Sequence, residues 1–371
     1  MERIRGRPRL TGMGENEHHS GESTRREARP RLSGQPSLAA CGNGLFRAAD
    51  AAGRTALARA VASGTAIRLA AGICVDAETW DEAHWPERRR LRCLAQATAN
   101  PELVLTGISA ARVHGLQLLY DPDADTGEPV HMGRTARGRT TTTAGRVIRA
   151  FHGDHRDITV VDGVRCATIA LTVHDVRRTH GPIEALTVAD DALLRGHSRG
   201  CLAEPLGRLF ERRADGARET ATVFALASAL SDSPAESWTK WLIHRAGLRT
   251  ALQQVYVVGP DGAPIRRVDF WIPELAMAIE FHGAVKYSGD YGDPDVLSTR
   301  ENRQIRDLLN CGVDVIQLTW AMLADGRAAR IIAQRAHQRR ELLQKAGPQF
   351  TGETYLRHER MPQRVTRHFN R

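Results

Sequence analysis

A chain of 371 residues with 42% hydrophobic and 26% charged positions has enough apolar material for two or three cores, and it reads as globular. No apolar run approaches the roughly 20 residues that span a bilayer, and the Arg- and Glu-bearing start lacks the apolar stretch of a secretion signal, so a cytoplasmic protein with no membrane partner is expected. The net charge of +9 invites a nucleic-acid reading, but Arg335 to Arg371 carries nine Arg or Lys against three Glu, so most of the excess sits at one end and supports little beyond nonspecific phosphate attraction.

Residues 1–37 are polar, rich in Arg, Glu, Gly, Ser and Pro, and without apolar periodicity; they are read as disordered. Over 38–78 the expected order is a short helix at Leu45–Asp50, a turn at Gly53, a second helix at Thr55–Ser63 capped by Thr55, and a hairpin over Ala66–Asp76. Helix, turn, helix and β-ribbon is the layout of a winged helix-turn-helix. Arg54, Thr55 and Arg59 would then enter the major groove of DNA, with Arg68 on the wing for phosphates. A small helical cap packed on the rest of the protein accounts for the same pattern.

The region 79–230 reads as α+β. Helices are expected at Glu87–Thr98, Ser109–Leu116 and Pro182–Arg195, and strands at Arg146–Phe151, Ile158–Val161 and Val164–Ile169. Thr172-Val-His-Asp175 resembles a capping box leading into a helix. The histidines at 114, 152, 155, 174 and 180 lack metal-ligand spacing, and the cysteines at 41, 74, 93, 166, 201 and 311 form no C-x-x-C pair. Neither a zinc knuckle nor a disulfide framework is expected; the thiols are read as reduced and mostly buried.

Punctuation is clearest over 231–345. Ser233-Pro-Ala-Glu236 supplies an N-cap serine, a proline at the first helical position and a glutamate three residues after the cap, and Gly247 closes the helix. A strand at Leu252–Val258 and a Gly259–Gly262 turn follow. Two further strands meet at Pro273-Glu274; then come a Gly/Asp-rich loop from Gly283 to Asp295, a helix at Thr299–Asn310 ended by Gly312, and a strand at Val313–Thr319. The order αβββαβ calls for a mixed sheet whose last strand arrives through a helical crossover. Residues 346–371 are read as a basic disordered tail.

The stretch Arg267 to His282 holds the chemistry. Val268, Phe270, Ile272, Leu275, Met277, Ile279 and Phe281 fall on one side, and Asp269, Trp271, Ala276, Ala278, Glu280 and His282 on the other. The first set is read as a core face. If a tight turn pairs Ile272 with Leu275, Asp269 opposes Ala278 and lies diagonal to Glu280, so two carboxylates flanked by small residues come within reach of one hard cation. The competing explanation is an amphipathic hairpin with a solvated face.

Ser-Pro-Ala-Glu236, Arg267-Val-Asp269, Glu280-Phe-His-Gly283 with Lys286-Tyr287, Glu301-Asn-Arg303 and Gly312 to Trp320 together resemble the restriction-endonuclease-like PD-(D/E)XK superfamily, in a branch similar to the very-short-patch-repair (Vsr-like) endonucleases. The resemblance covers roughly 233–325, and the part before it is similar, more loosely, to AbiEi-type antitoxins and regulators. The resemblance implies that Asp269 and Glu280 ligate Mg²⁺ or Mn²⁺, that the carbonyl of Phe281 is a third oxygen, and that Glu236 acts through water. It also implies that His282 or Lys286 stabilises developing charge or deprotonates the attacking water, with Arg303 and Arg306 on phosphates. This sequence departs from the general motif in carrying His282 where a lysine is usual, and Glu236 is also explained as a capping-box residue able to pair with Lys240.

Two functions are therefore carried forward. One is a metal-dependent DNA endonuclease docked by an N-terminal winged helix. The other is a non-catalytic, DNA-binding transcriptional regulator of toxin–antitoxin type that keeps a nuclease fold; a cognate toxin and a second copy of the chain are its candidate protein partners. RNA as the substrate stays open, because the same metal chemistry cleaves either backbone.

Overall fold

The computed structural model describes residues 32–119, 129–136, 138–143, 145–212, 214–282 and 294–356, and over these the chain is a mixed α/β protein. Strands β1 (Leu38–Ala40) and β2 (Leu45–Ala48) precede helix α1 (Ala51–Ala62), and β3 (Ala66–Ala70) and β4 (Ile73–Asp76) follow it. They pair as one sheet in the order β1-β2-β4-β3. The segment expected as a first helix is thus strand β2 followed by a cap. Asp50, not Thr55, starts α1 by accepting the Gly53 N–H at 2.7 Å, and Thr55 lies inside the helix with its hydroxyl donating back to the Ala51 carbonyl. Gly53 is helical too, and a Cβ there would lie 2.1 Å from the Ser37 carbonyl oxygen; glycine is what lets the helix settle on the chain entering β1.

This first sheet is not freestanding. Leu45, Ile73 and Val75 share a core with Leu91, Leu94 and Leu105 from the next region, while Phe46, Leu57, Ala66 and Cys74 pack with Leu32 under α1. Leu32 and its neighbours belong to the segment expected to be disordered, yet Leu32 is buried and its N–H bonds the Asp76 carboxylate at 2.6 Å. Residues 1–31 lie outside the described residues.

In chain order there follow α2 (Ala77–Glu82), α3 (Trp85–Ala99), β5 (Val104–Leu105), α4 (Gly107–Val113), β6 (Val130–Arg134), β7 (Thr141–Thr143), β8 (Arg146–Ala150), β9 (Ile158–Val161) and β10 (Val164–Ala167). The six strands run β7-β8-β6-β5-β10-β9. Helices α5 (Ile169–His180), α6 (Pro182–Leu194), α7 (Gly200–Glu211) and α8 (Ala217–Leu226) complete the region. Thr172 and Asp175 do not cap a helix; they sit within α5, where the Thr172 hydroxyl donates to the Ala167 carbonyl.

The last unit is built from α9 (Pro234–Arg245), β11 (Leu252–Val258), β12 (Pro264–Ile272), β13 (Met277–Phe281), α10 (Pro294–Asn310), β14 (Asp314–Leu318), α11 (Trp320–Ala324), α12 (Arg327–Ala346) and β15 (Glu353–Tyr355). Its sheet runs β14-β13-β12-β11-β15, with β13 and β14 parallel and α10 as the crossover between them. On one face Phe270, Ile272, Met277, Ile279, Ile316 and Leu318 pack against Ala235 and Ile243 of α9 and Ala328, Ile332 and Ala336 of α12. On the other, Trp271, Ala278, Val255, Val257 and Val268 pack against Leu308 and Cys311. The face that an amphipathic hairpin would leave solvated is therefore a second interior, so the unit has three layers. Strand β15 lies inside the segment expected to be a disordered tail and pairs antiparallel with β11. Part of the basic excess is structural as well: Arg335 pairs with Asp314, and Arg339 donates to the Leu275 and Gly312 carbonyls. Residues 357–371 lie outside the described residues.

Among the described residues no helix is long and apolar enough to cross a membrane. All six cysteines are free, with Cys74, Cys93, Cys166 and Cys311 buried.

Candidate functional site

Strands β12 and β13 pair as Phe270↔Ile279, Trp271↔Ala278 and Ile272↔Met277, two residues away from the alignment expected of a tight turn. The connection is longer than expected because Pro273–Leu275 forms one 3-10 turn and Ala276 adopts φ 44° and ψ 51°. A slip of two keeps parity, so Asp269 and Glu280 stay related, now directly across rather than diagonal. The ladder stops just short of them. There the Phe281 N–H donates to Asp269 Oδ2 at 2.9 Å, a side chain standing in for a strand carbonyl. Strand β13 remains paired with β14 through Phe281↔Leu318 while it parts from β12, and the candidate site occupies that wedge.

On the other side of β12, Gln253 pairs with Phe270 and Val255 with Val268, which leaves Gln254 across from Asp269. Gln254 has φ 56°, a left-handed backbone inside a strand. The alternation reverses here: Val255 and Val268 belong to one face and Phe270 to the other. Val268 is thus on the face opposite to the one expected.

Glu236 reaches the same place from the first turn of α9. Ser233 caps the helix, accepting the Glu236 N–H at 3.3 Å, and the Glu236 carboxylate accepts from the Asp232 N–H, the Ser233 hydroxyl and Gln254 Nε2, each at 3.1 Å. Burial, and next the negative charge of Asp269, push the Glu236 carboxyl up to about 7. Lys240 does not turn back to form the expected pair with Glu236. Its Nζ lies 2.7 Å from Asp190 Oδ1 and 3.1 Å from the Ser231 hydroxyl.

A second cluster adjoins the first through Glu280, which is buried. Arg266 Nε lies 2.9 Å from Glu280 Oε1, and the same guanidinium is 3.8 Å from Glu301. His282 Nδ1 lies 3.4 Å from Glu301 Oε1, and the His282 N–H donates to the Leu318 carbonyl at 2.7 Å. Phe281, expected to offer its carbonyl, offers its N–H to Asp269 and sets its ring edge-on to Trp320.

The structure thus brings Glu236 to Asp269 and sets Glu280 and His282 in the adjoining cluster with Arg266 and Glu301. Lys286 lies outside the described residues. Arg303 and Arg306 are exposed on α10, and Arg54, Thr55 and Arg59 on α1 and Arg68 on β3 are exposed in the first unit. Arg266, Gln254 and Glu301 join the site without having been assigned a part from sequence. Their traces were there: Gln253-Gln254 interrupts an apolar strand, and Arg266 stands three residues before Asp269.

Among the described residues no group of three or more His, Cys, Asp or Glu is arranged to hold a metal ion. In donor chemistry the wedge still suits a hard divalent cation. Glu236 and Asp269 present carboxylate oxygens of like charge beside each other, and Gln254 Oε1 is buried there with no hydrogen-bond partner among the described residues. Arg266 meets part of the same demand at Glu280. Comparison with protein-family models, curated proteins and solved structures found no match.

Proposed function

We propose that the unit spanning 231–345 is a metal-dependent endonuclease of the PD-(D/E)XK kind that hydrolyses phosphodiester bonds in cytoplasmic DNA. The observation that carries this reading is the meeting of Glu236 of α9 with Asp269 of β12 at the wedge where β12 and β13 part, with Glu280 of β13 across the strand pair from Asp269. Asp269 and Glu280 would hold Mg²⁺ or Mn²⁺, with Glu236 acting through water; the bound ion supplies polarisation of the phosphate and a more acidic water. Glu301 holds the His282 ring beside the wedge, where an imidazole can accept a proton. Arg266, at Glu280, would supply a guanidinium to negative charge developing beside the wedge. Lys286 remains a candidate for stabilising developing charge or deprotonating the attacking water, and Arg303 and Arg306 for holding phosphates.

A specific observation favours a second reading, a DNA-binding regulator of antitoxin type without cleavage. The Arg266 guanidinium at Glu280 is a cation supplied by the chain itself, which a metal would have to displace. In that reading the exposed Arg54, Thr55 and Arg59 of α1, with Arg68, contact DNA, and a toxin or a second copy of the chain is the protein partner.

Supercoiled plasmid separates the two. A nuclease nicks it with Mg²⁺ or Mn²⁺ and not with EDTA, and Asp269→Ala lowers the rate at least about 100-fold, as the loss of several kcal/mol of transition-state stabilisation requires. Intact plasmid beside a clear gel shift would instead establish the regulator.

A further inference from the structure

We propose that Gln254 is a ligand of this site, its side-chain amide oxygen forming with Glu236 and Asp269 a seat for a hard divalent cation. The inference rests on the nuclease reading for the use of that cation and on the wedge itself for its presence.

Three features of Gln254 converge. Its side chain is buried, at 2% exposure, in a strand whose other residues are Leu252, Gln253, three valines and Tyr256. Its Nε2 donates to Glu236 Oε2 at 3.1 Å, the orientation that an ionised Glu236 requires. Oε1 is then the amide atom that Glu236 does not engage, and it is buried with no hydrogen-bond donor among the described residues. A buried acceptor without a donor calls for a water or an ion.

The backbone gives the second line of argument. A φ of 56° is unfavourable for any residue with a Cβ, and strands rarely tolerate it. Its neighbours Gln253 and Val255 keep their pairing with β12 while the alternation of the strand reverses between them. At this reversal the side chain opposite Asp269 meets Glu236. Ca²⁺, Mg²⁺ and Mn²⁺ accept amide oxygens beside carboxylates, and a neutral ligand adds coordination without adding charge repulsion.

Mn²⁺ titrated into the full chain tests this, read by the loss of the free-ion electron paramagnetic resonance signal. Gln254→Gly is the informative variant, because glycine accepts the left-handed backbone while the amide, its oxygen included, is removed. Binding at least about 10-fold weaker than wild type, with Asp269→Asn weakened as well, is the expected result. Binding unchanged in Gln254→Gly overturns the proposal and leaves the nuclease reading standing. Mn²⁺ binding that depends on Gln254 without plasmid nicking overturns the nuclease reading alone, whereas wild type that binds no Mn²⁺ sinks both. Should Gln254→Gly fail to fold, Gln254→Glu decides: a larger Mn²⁺-induced rise in Tm than wild type supports the seat, and an equal or smaller one overturns it.

Discussion

Asp175 and His174 are neighbours on α5 whose protonation is shifted in opposite senses. Burial pushes the Asp175 carboxyl up to about 7, against the pull of Arg178 and Arg149, while burial and the charges of Arg178 and Arg177 push His174, bonded to the Thr220 hydroxyl at 2.8 Å, down to about 4. An unfolded Asp titrates near 4, so between about 4 and 7 the folded state binds the extra proton and stability falls as pH rises. His174 does the reverse: the folded ring has lost a proton that the unfolded ring keeps up to about 6.5, so stability rises between about 4 and 6.5. Asp175→Asn removes only the first effect. The variant is expected to gain stability relative to wild type on going from about pH 5 to about pH 8, read as urea midpoints at each pH; parallel profiles would refute the assignment.

At the level of elements, what could be read from sequence follows from what local chemistry specifies. Helix α9 was legible because Ser233, Pro234, Glu236 and Gly247 mark its ends, and β11 because its apolar run is bounded by turn residues on both sides. The β12–β13 register was not, since it depends on Ala276 adopting a left-handed conformation that alanine does not advertise. Leu45–Asp50 was misread for a related reason: six residues carry too few periods to separate helix from strand, and pairing with β4 decides. The second interior was hidden because alternation shows that Ala278 and Trp271 share a side but cannot show that Leu308 covers it. Of the site, the carboxylates were legible and their neighbours were not, since Arg266 and Gln254 arrive through strand pairing and an unusual φ. Gly312 shows how tightly such junctions are drawn. It closes α10 at φ 82°, and a Cβ would lie 2.1 Å from the Gln349 carbonyl oxygen. Gly312→Ala is expected to cost more than the ~1–2 kcal/mol of left-handed strain alone, visible as a lower urea midpoint with the slope unchanged.

Across the whole molecule, α9 is rooted in the helical layer that precedes it. Asp190 of α6 accepts from Lys240 Nζ at 2.7 Å, the Ser237 hydroxyl at 2.6 Å and the Ser228 N–H at 2.8 Å, and all but Ser228 are buried. Trp241 packs on the α5–α6 core from the same side. Asp190→Ala strands a buried ammonium and is expected to destabilise by about 3–5 kcal/mol, whereas Asp190→Leu with Lys240→Met should recover most of the loss; urea unfolding compares the two, and equal losses would show that the pair is not coupled. A different kind of consequence attaches to β15. Because the outer side of β11 is closed by residues 353–355, synthesised about a hundred positions later, the sheet cannot be finished while the ribosome is still making α12. During that interval β11 presents a bare edge, open to pairing with another strand until residues 353–355 arrive.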